Sequence, residues 1–488
     1  MKLSLRKPLI ARTLLLTLML VFAAHAFCFF NLTYSGQSVM LNAAKGSASQ
    51  TSGGQFLLLF YWRVRGAVSA PLLVGALSAL YLAATLALTS GLLGLQSRAL
   101  LFALCGVLTV NAGVTSIFAA SLHTADAAFL AQLLGTAGVC LCMRSRPGIL
   151  PAAALLAAAQ ALHADALSVA AALALIVLIR RLAAGEGGRS TLICGVRATL
   201  AFALGAALYA AGYAVLLRLR GLDAEAQLHL PASAPDAWLA PVRALLSPLT
   251  AYAALNVVLR IALALLAVLV LARAVRRLGA LRIAAIAALL LAVPLAANLP
   301  VFARTGAAQF RLSYAYLDVL LLSLLSLADG AGEPARRLRL GAAGALAVLF
   351  LGSIVFSNQV YLKKNLEFTS TLSVMTRVID RAEHTEGYRP GYTPVAIIGT
   401  PEDSALSVPH EGFEHLAALD AASANCAVAS SEDMIWYVWE VLGYPFNFVS
   451  TYEQSLLSGR DEVRDMPAFP AEGCCRMIDG TLVIRLSP

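Results

Sequence analysis

Carboxylates are scarce in the first three quarters of this chain. Residues 1–357 hold 9 Asp and Glu against 27 Lys and Arg, and residues 31–66 hold no carboxylate. Charged residues make up only 13% of the 488, hydrophobic ones make up 59%, and the mean hydropathy is +0.77. A water-soluble globule is excluded, because too few polar side chains exist to cover so much apolar volume. No Walker loop and no dinucleotide fingerprint occur, so the sequence calls for no nucleotide and no other cofactor. The eight cysteines lack zinc-like spacing, and no acidic pair of the DxD kind stands in the loops, so no metal is called for either. Cys28, Cys105, Cys140, Cys142 and Cys194 read as small apolar fillers, whereas Cys426 could bridge to Cys474 or Cys475 in an oxidising compartment.

What the chain has in abundance is apolar runs. Taking about 20 residues per crossing, about eleven spans are expected, at 8–30, 67–95, 100–120, 125–143, 149–162, 164–179, 192–217, 252–272, 283–299, 312–328 and 340–357. The stretch 149–179 could be one long helix, but it is basic at both ends, which favours two. Lys2, Arg6, Lys7 and Arg12 precede the first run, which reads as an uncleaved span because no small-x-small site followed by a soluble domain appears. With the spans threaded, the N-terminus, Arg98, Arg144, Arg146, Arg180, Arg181, Arg189, Arg273, Arg276, Arg277, Arg282, Arg336, Arg337 and Arg339 share one side. By the positive-inside tendency that side is the cytoplasm. The formal charge of +9 is therefore a sign of membrane orientation and gives no reason to expect nucleic acid. Residues 358–488 carry 9 basic and 18 acidic residues and form a second, extracytoplasmic domain in this reading. The fold class expected is an α-helical polytopic membrane protein of the cell membrane, residues 1–357, with a small C-terminal α/β domain, residues 358–488.

Ionisable groups inside apolar runs carry a desolvation cost, so those present are candidates for chemistry. His123 and Asp126 stand three apart and share a helix face if a helix begins there, where they could hydrogen-bond and orient a base. His163 and Asp165 stand two apart and converge only in an irregular turn. The competing account for both pairs is helix capping by Asp. Arg304 and Arg311, beside Pro300 and Gly306, could clamp a phosphate or could simply snorkel. Arg63 and Arg65 follow Tyr61 and Trp62 and read as an interfacial belt, with a lipid phosphate as the sharper alternative. The loop 218–250 reads as an ordinary solvated loop more readily than as an amphipathic segment lying on the membrane.

The tail opens with a segment in which Phe368, Leu372, Met375 and Ile379 form a helical stripe. Val395–Ile398 reads as a buried strand, Met434–Leu442 as a helix closed by Gly443, and Asp479-Gly480 as the turn of a hairpin. Asn358-Gln-Val-Tyr-Leu-Lys-Lys, Thr371 to Arg381, Glu386-Gly-Tyr-Arg-Pro-Gly, Pro394 to Gly399, Gly412-Phe-Glu-His-Leu, Leu442-Gly-Tyr-Pro and Met466-Pro-Ala-Phe-Pro resemble the end of GtrII-like glucosyltransferase-domain membrane proteins of Gram-positive bacteria. Looser echoes occur at Leu58–Gly66 and at the His123-x-x-Asp126 turn. The resemblance implies a GT-C-like enzyme that takes a hexose, glucose in the family it resembles, from a polyprenyl-phosphate carrier and places it on a cell-envelope glycan at the outer face. It also implies departures. The His-Asp pair that similar proteins place in the first outer loop is Gly36-Gln37 here, and a second is Gln309-Phe310. Asp126, oriented by His123, or Asp165 with His163, is then expected to supply the base, with Arg304, Arg311, Arg63 and Arg65 toward the phosphate. The other classes are a non-catalytic relative and a lipid-linked-sugar flippase or transporter.

Overall fold

The computed structural model describes residues 7–34, 36–39, 51–95, 97–223, 234–247, 253–302, 310–328, 333–401, 410–419, 424–428 and 430–487. Away from water each backbone N–H must find its acceptor within its own segment, so the apolar runs fold as helices. In chain order these are α1 (Lys7–Phe30), α2 (Leu58–Arg65), α3 (Pro71–Leu93), α4 (Arg98–Thr109), α5 (Ala112–Ala120), α6 (Leu122–Arg144) and α7 (Ile149–Leu162). There follow α8 (Ala166–Ala183), α9 (Gly188–Arg220), α10 (Ala234–Leu246), α11 (Ala253–Val275), α12 (Ala280–Ala297), α13 (Tyr316–Leu325) and α14 (Glu333–Glu383).

Among the described residues nine helical stretches are long and apolar enough to cross a membrane, with α4 and α5 forming one interrupted stretch, Arg98–Ala120. The chain is a helical membrane protein. Two shorter apolar helices, Ile149–Leu162 and Leu312–Ala328, fall where the fifth and tenth spans are expected. The stretch 149–179 is two helices, separated at His163–Asp165. Burial sorts the bundle. Arg98–Ala120 and Leu122–Arg144 are 72% buried and central, whereas Gly188–Arg220 is 11% buried and turns most of its surface outward. The alanine-rich α7 is pressed between α6 and α9: a Cβ on Gly138 would stand 3.2 Å from the Ala152 carbonyl oxygen, and one on Gly205 would stand 3.1 Å from that of Ala153. Close approach of this kind supplies the dispersion contacts that hold helices together where solvent cannot.

Two expectations about the loops are corrected. The segment after α9 contains α10, which packs on α12 through a hydrogen bond from Trp238 Nε1 to the Leu291 carbonyl at 2.9 Å. It is an ordered helix where an ordinary loop was the favoured reading. Trp62 lies 1% exposed against Ala127, so it is a core residue of the α2–α6 contact and no belt residue.

The boundary expected at 357/358 is not a break in secondary structure, since α14 runs through it for 51 residues. Its tail-side stripe is Phe368, Met375, Val378 and Ala382, all buried, while Leu372 is 39% exposed. Leu372 thus falls outside the stripe, because packing follows the 3.5-residue series through Thr371. Beyond α14 a four-stranded sheet forms in the order β2-β1-β4-β3, from β1 (Pro394–Ile398), β2 (Asn447–Phe448), β3 (Cys475–Ile478) and β4 (Thr481–Arg485). β1 is parallel to β2 and β4, and β3 and β4 make the expected hairpin, with Ile478 opposite Thr481. Asp479 and Gly480 both have positive φ, 46° and 77°, the conformation that a tight primed turn demands. The helix expected at 434–442 begins at Ser431 and ends in a π-helical turn, Tyr437–Val441, before Gly443. Among the described residues no disulfide forms, so the possible Cys426 bridge is absent; Cys426 Sγ instead bonds the Val428 carbonyl.

Candidate functional site

Besides Lys363 and Lys364 on Glu367 within α14, two buried charge clusters of the described residues hold the expected site residues. The first is built on Asp126, one turn into α6 and fully buried. Arg65 reaches it from the last turn of α2, its Nη1 donating to Oδ1 at 2.9 Å and to Oδ2 at 3.0 Å. Tyr61, one turn earlier on α2, donates to Oδ2 at 2.8 Å, and the Ala127 N–H donates to Oδ1 at 3.0 Å. Arg65 Nη2 is fixed on Ser69 Oγ at 3.0 Å, and its side chain is 1% exposed. Nothing in this arrangement leaves the carboxylate to His123. That imidazole is buried beneath Trp62, ring centroids 6.1 Å apart, with Nδ1 3.5 Å from Ser38 Oγ. The expected His123–Asp126 hydrogen bond is absent among the described residues, because a guanidinium and a phenol are the stronger donors in reach. Arg63, two residues from Arg65, is exposed and points away.

The second cluster joins α8 to the turn before α13. Asp165 sits at the N-cap position of α8 but makes no side-chain cap; its Oδ1 accepts from Arg311 Nη1 at 2.8 Å, with both side chains 9% exposed. The capping account therefore fails for Asp165. His163 is half-buried, and its Nδ1 accepts the Asp165 N–H at 3.3 Å, so it shapes the turn. Arg304 lies outside the described residues.

Arg311 opens onto a cleft between α10, α11, α14, the turn Phe310–Ala315 and the break between α4 and α5. That break is made by Asn111. Its Nδ2 donates to the Val107 carbonyl of α4 at 2.9 Å, and its Oδ1 accepts the Val114 N–H of α5 at 3.0 Å, so one side chain closes the first helix and caps the second. The N-terminal residues of α5, Ala112 and Gly113, line the cleft. Gly113 is required there, since a Cβ would stand 2.5 Å from the Arg311 carbonyl oxygen. The 3-10 turn Leu312–Ala315 that follows Arg311 is pinned by Ser313 Oγ to the Ala297 carbonyl at 2.6 Å and by Tyr314 to Asn298 Oδ1 at 2.9 Å.

Facing Arg311 across the cleft is Arg260 of α11, which donates through Nη1 to the Leu245 carbonyl and lies 3.6 Å from Asp318 Oδ2. Among the described residues neither Arg260 Nε nor Arg311 Nε has a hydrogen-bond partner, although both atoms are buried. Two guanidinium side chains and a helix N-terminus thus border one cleft, the combination that binds anions. Arg260 and Asp318 were missed in the sequence. Each is a lone ionisable residue inside an apolar run, and that signal would have found both. Among the described residues no group of three His, Cys, Asp or Glu could hold a metal.

No family model, no curated protein and no solved structure matches the chain.

Proposed function

We propose that the protein is a membrane glycosyltransferase that takes a hexose, glucose by the motif resemblance, from a polyprenyl-phosphate carrier and transfers it to a cell-envelope glycan. In this reading the chain is GT-C-like with eleven crossings, its arginine-rich loops are cytoplasmic, and the cleft and the tail domain face the exterior of the cell membrane. The observation that carries the reading is the pair of buried Nε–H donors, from Arg260 and Arg311, beside the α5 N-terminus at the cleft.

Transfer from a phosphodiester expels a phosphate monoester, so negative charge grows on the phosphate oxygens in the transition state. Donors fixed before reaction stabilise that charge without reorganisation. Arg311 is held by Asp165 and Arg260 by the Leu245 carbonyl, so both cations are fixed at the wall of the cleft before a phosphate arrives. The apolar surface around the bundle suits the polyprenyl chain, and the acceptor would approach from the side of the tail domain.

The test is sugar transfer in proteoliposomes loaded with polyprenyl-phosphate-glucose and offered envelope glycan. Labelled sugar should appear in the glycan. Binding of the lipid with no transfer, over several lipid-linked hexoses, would overturn the enzyme reading. One observation favours a second reading, a lipid-linked-sugar binder or flippase: the carboxylates of Asp126 and Asp165 are both engaged by arginines. Such a protein would change the sidedness of a fluorescent lipid-linked sugar without consuming it.

A further inference from the structure

We infer that the tail domain carries a binding surface for an uncharged glycan, built around the exposed indole of Trp439, an inference that goes beyond the transferase reading because it requires no transfer. Six aromatic rings form one continuous row. Trp436 meets Trp439 with ring centroids 5.9 Å apart, Trp439 meets Phe448 at 5.6 Å and Phe448 meets Phe446 at 5.6 Å. Phe446 in turn meets Tyr444 at 4.9 Å and Tyr388 at 6.2 Å. Phe446 and Tyr388 are buried, whereas Trp436, Tyr444 and Phe448 are half-buried and Trp439 is 41% exposed. Aromatic surface left open as a connected row, rather than as scattered single rings, marks an interaction site.

The backbone is arranged to hold Trp439 outward. The helix Ser431–Trp436 widens into the π-helical turn Tyr437–Val441, a rare conformation that recurs at functional sites. Across that turn the Leu442 N–H bonds the Tyr437 carbonyl at 3.0 Å, and the Tyr444 N–H bonds the Val438 carbonyl at 3.1 Å, which folds the chain back. Trp439 Nε1 then donates to the Phe446 carbonyl at 2.9 Å. The indole is fixed before a ligand arrives, so little rotamer freedom is lost on binding.

The surroundings select the ligand. Residues 430–453 hold four carboxylates, Glu432, Asp433, Glu440 and Glu453, and no Lys, Arg or His, so a phosphate or a polyanion is repelled. Glu383, the last residue of α14, is exposed, and Tyr444 donates to its Oε1 at 2.8 Å. A carboxylate has about four acceptor sites, so this one can take further hydroxyl donors. Asn447 is exposed at the sheet edge, with its Nδ2 on the Tyr392 carbonyl at 3.2 Å. Fixed rings beside oxygen acceptors suit a sugar: its C–H face lies on the electron-rich face of a ring, and its hydroxyls donate to the carboxylate and amide oxygens. Two other occupants fit worse. A lipid surface is out of reach, because Glu383 lies 26 residues past Ser357, the end of the last apolar run, which is roughly 39 Å along the helix at about 1.5 Å per residue. A peptide strand has too little to pair with, since the edge strand β2 is only two residues long.

The experiment uses the full-length protein in nanodiscs without donor lipid, so its outcome is independent of transfer. Cellohexaose and chitohexaose, both uncharged oligosaccharides, are titrated while tryptophan fluorescence and heat are recorded. At least one of them should bind. Trp439→Ala should weaken that binding by about 10-fold or more, Trp439→Phe should restore most of it by returning a ring, and the surface variant Glu383→Gln should weaken it by about 3 to 10-fold. Absence of binding by either oligosaccharide up to about 10 mM overturns the proposal. So does binding that neither Trp439→Ala nor Glu383→Gln alters, which would put the sugar elsewhere. Capture of poly(glycerol phosphate), phosphatidylglycerol vesicles or an extended peptide in place of the oligosaccharides overturns the choice of ligand.

Discussion

Removing the Asp126 carboxylate should cost the fold far more than removing most side chains of the bundle. In Asp126→Ala the Arg65 guanidinium, 1% exposed, keeps its charge and loses the group that compensates it. Truncating one member of a buried ion pair typically costs about 3–5 kcal/mol, nearly all of it the cost of the stranded charge. Tyr61 loses its acceptor as well, but it is only half-buried and water can replace that bond. The Ala127 N–H also remains in the first half of a 23-residue helix, so the estimate stays at about 3–5 kcal/mol. Replacing both partners with apolar residues, Arg65→Met with Asp126→Leu, removes the stranded charge. That double variant should regain at least about 2 kcal/mol over Asp126→Ala, since buried pairs replaced by packed apolar groups are often neutral or better. Denaturant unfolding in mixed micelles, run as a double-mutant cycle, measures both numbers. A loss below about 1 kcal/mol in Asp126→Ala, or a double variant no more stable than the single one, would refute the view that this pair is a structural clamp.

Three further outcomes are expected. Arg260→Met should weaken binding of polyprenyl phosphate about 10 to 100-fold, the worth of one charge-assisted contact, as measured by native mass spectrometry or scintillation proximity, with Arg63→Met as the unaffected exposed control. Gly113→Ala should destabilise the bundle by about 1–3 kcal/mol by forcing α5 off the Arg311 backbone, and it should weaken lipid binding at the same time, because both contacts share that backbone. In the tail, the Glu453 carboxyl is held below its ordinary range by hydrogen bonds from the Ser450 N–H and hydroxyl, a capping box at the start of the helix Thr451–Ser458. A depressed folded value means the contribution is present at neutral pH and disappears as pH falls through that value, so amide-exchange protection of residues 451–458 should drop below about pH 4. In Glu453→Gln, which has no carboxyl to protonate, that drop at low pH should be absent.

Elements were legible where one local rule decided them. The apolar runs, the β3–β4 turn at Asp479-Gly480 and the separation of α7 from α8 each follow from composition or backbone preference within a few residues. The candidate site was legible in part. His123, Asp126, Asp165 and Arg311 stood out because charge inside an apolar run is costly, but their partners were set by packing between segments far apart in sequence. Asp126 and Arg65 are 61 residues apart, and Asp165 and Arg311 are 146 apart. Sequence spacing suggested His123 as the neighbour of Asp126, whereas the fold delivers Arg65, a partner no helical periodicity can name. Arg260 and Asp318 were passed over for a different reason: each has no charged neighbour in sequence, so neither forms a pattern until α11 and α13 are side by side.

The unbroken α14 makes the tail domain part of a lever. At about 1.5 Å per residue its 51 residues extend roughly 77 Å, of which a bilayer core takes about 30 Å. The remainder, roughly 47 Å, is packed against the tail domain, so a tilt change of roughly 10° in the membrane would swing the far end by roughly 8 Å. Bilayer thickness would then set how far the tail domain stands from the cleft. On the transferase reading, lipid composition becomes a variable that moves one substrate relative to the other.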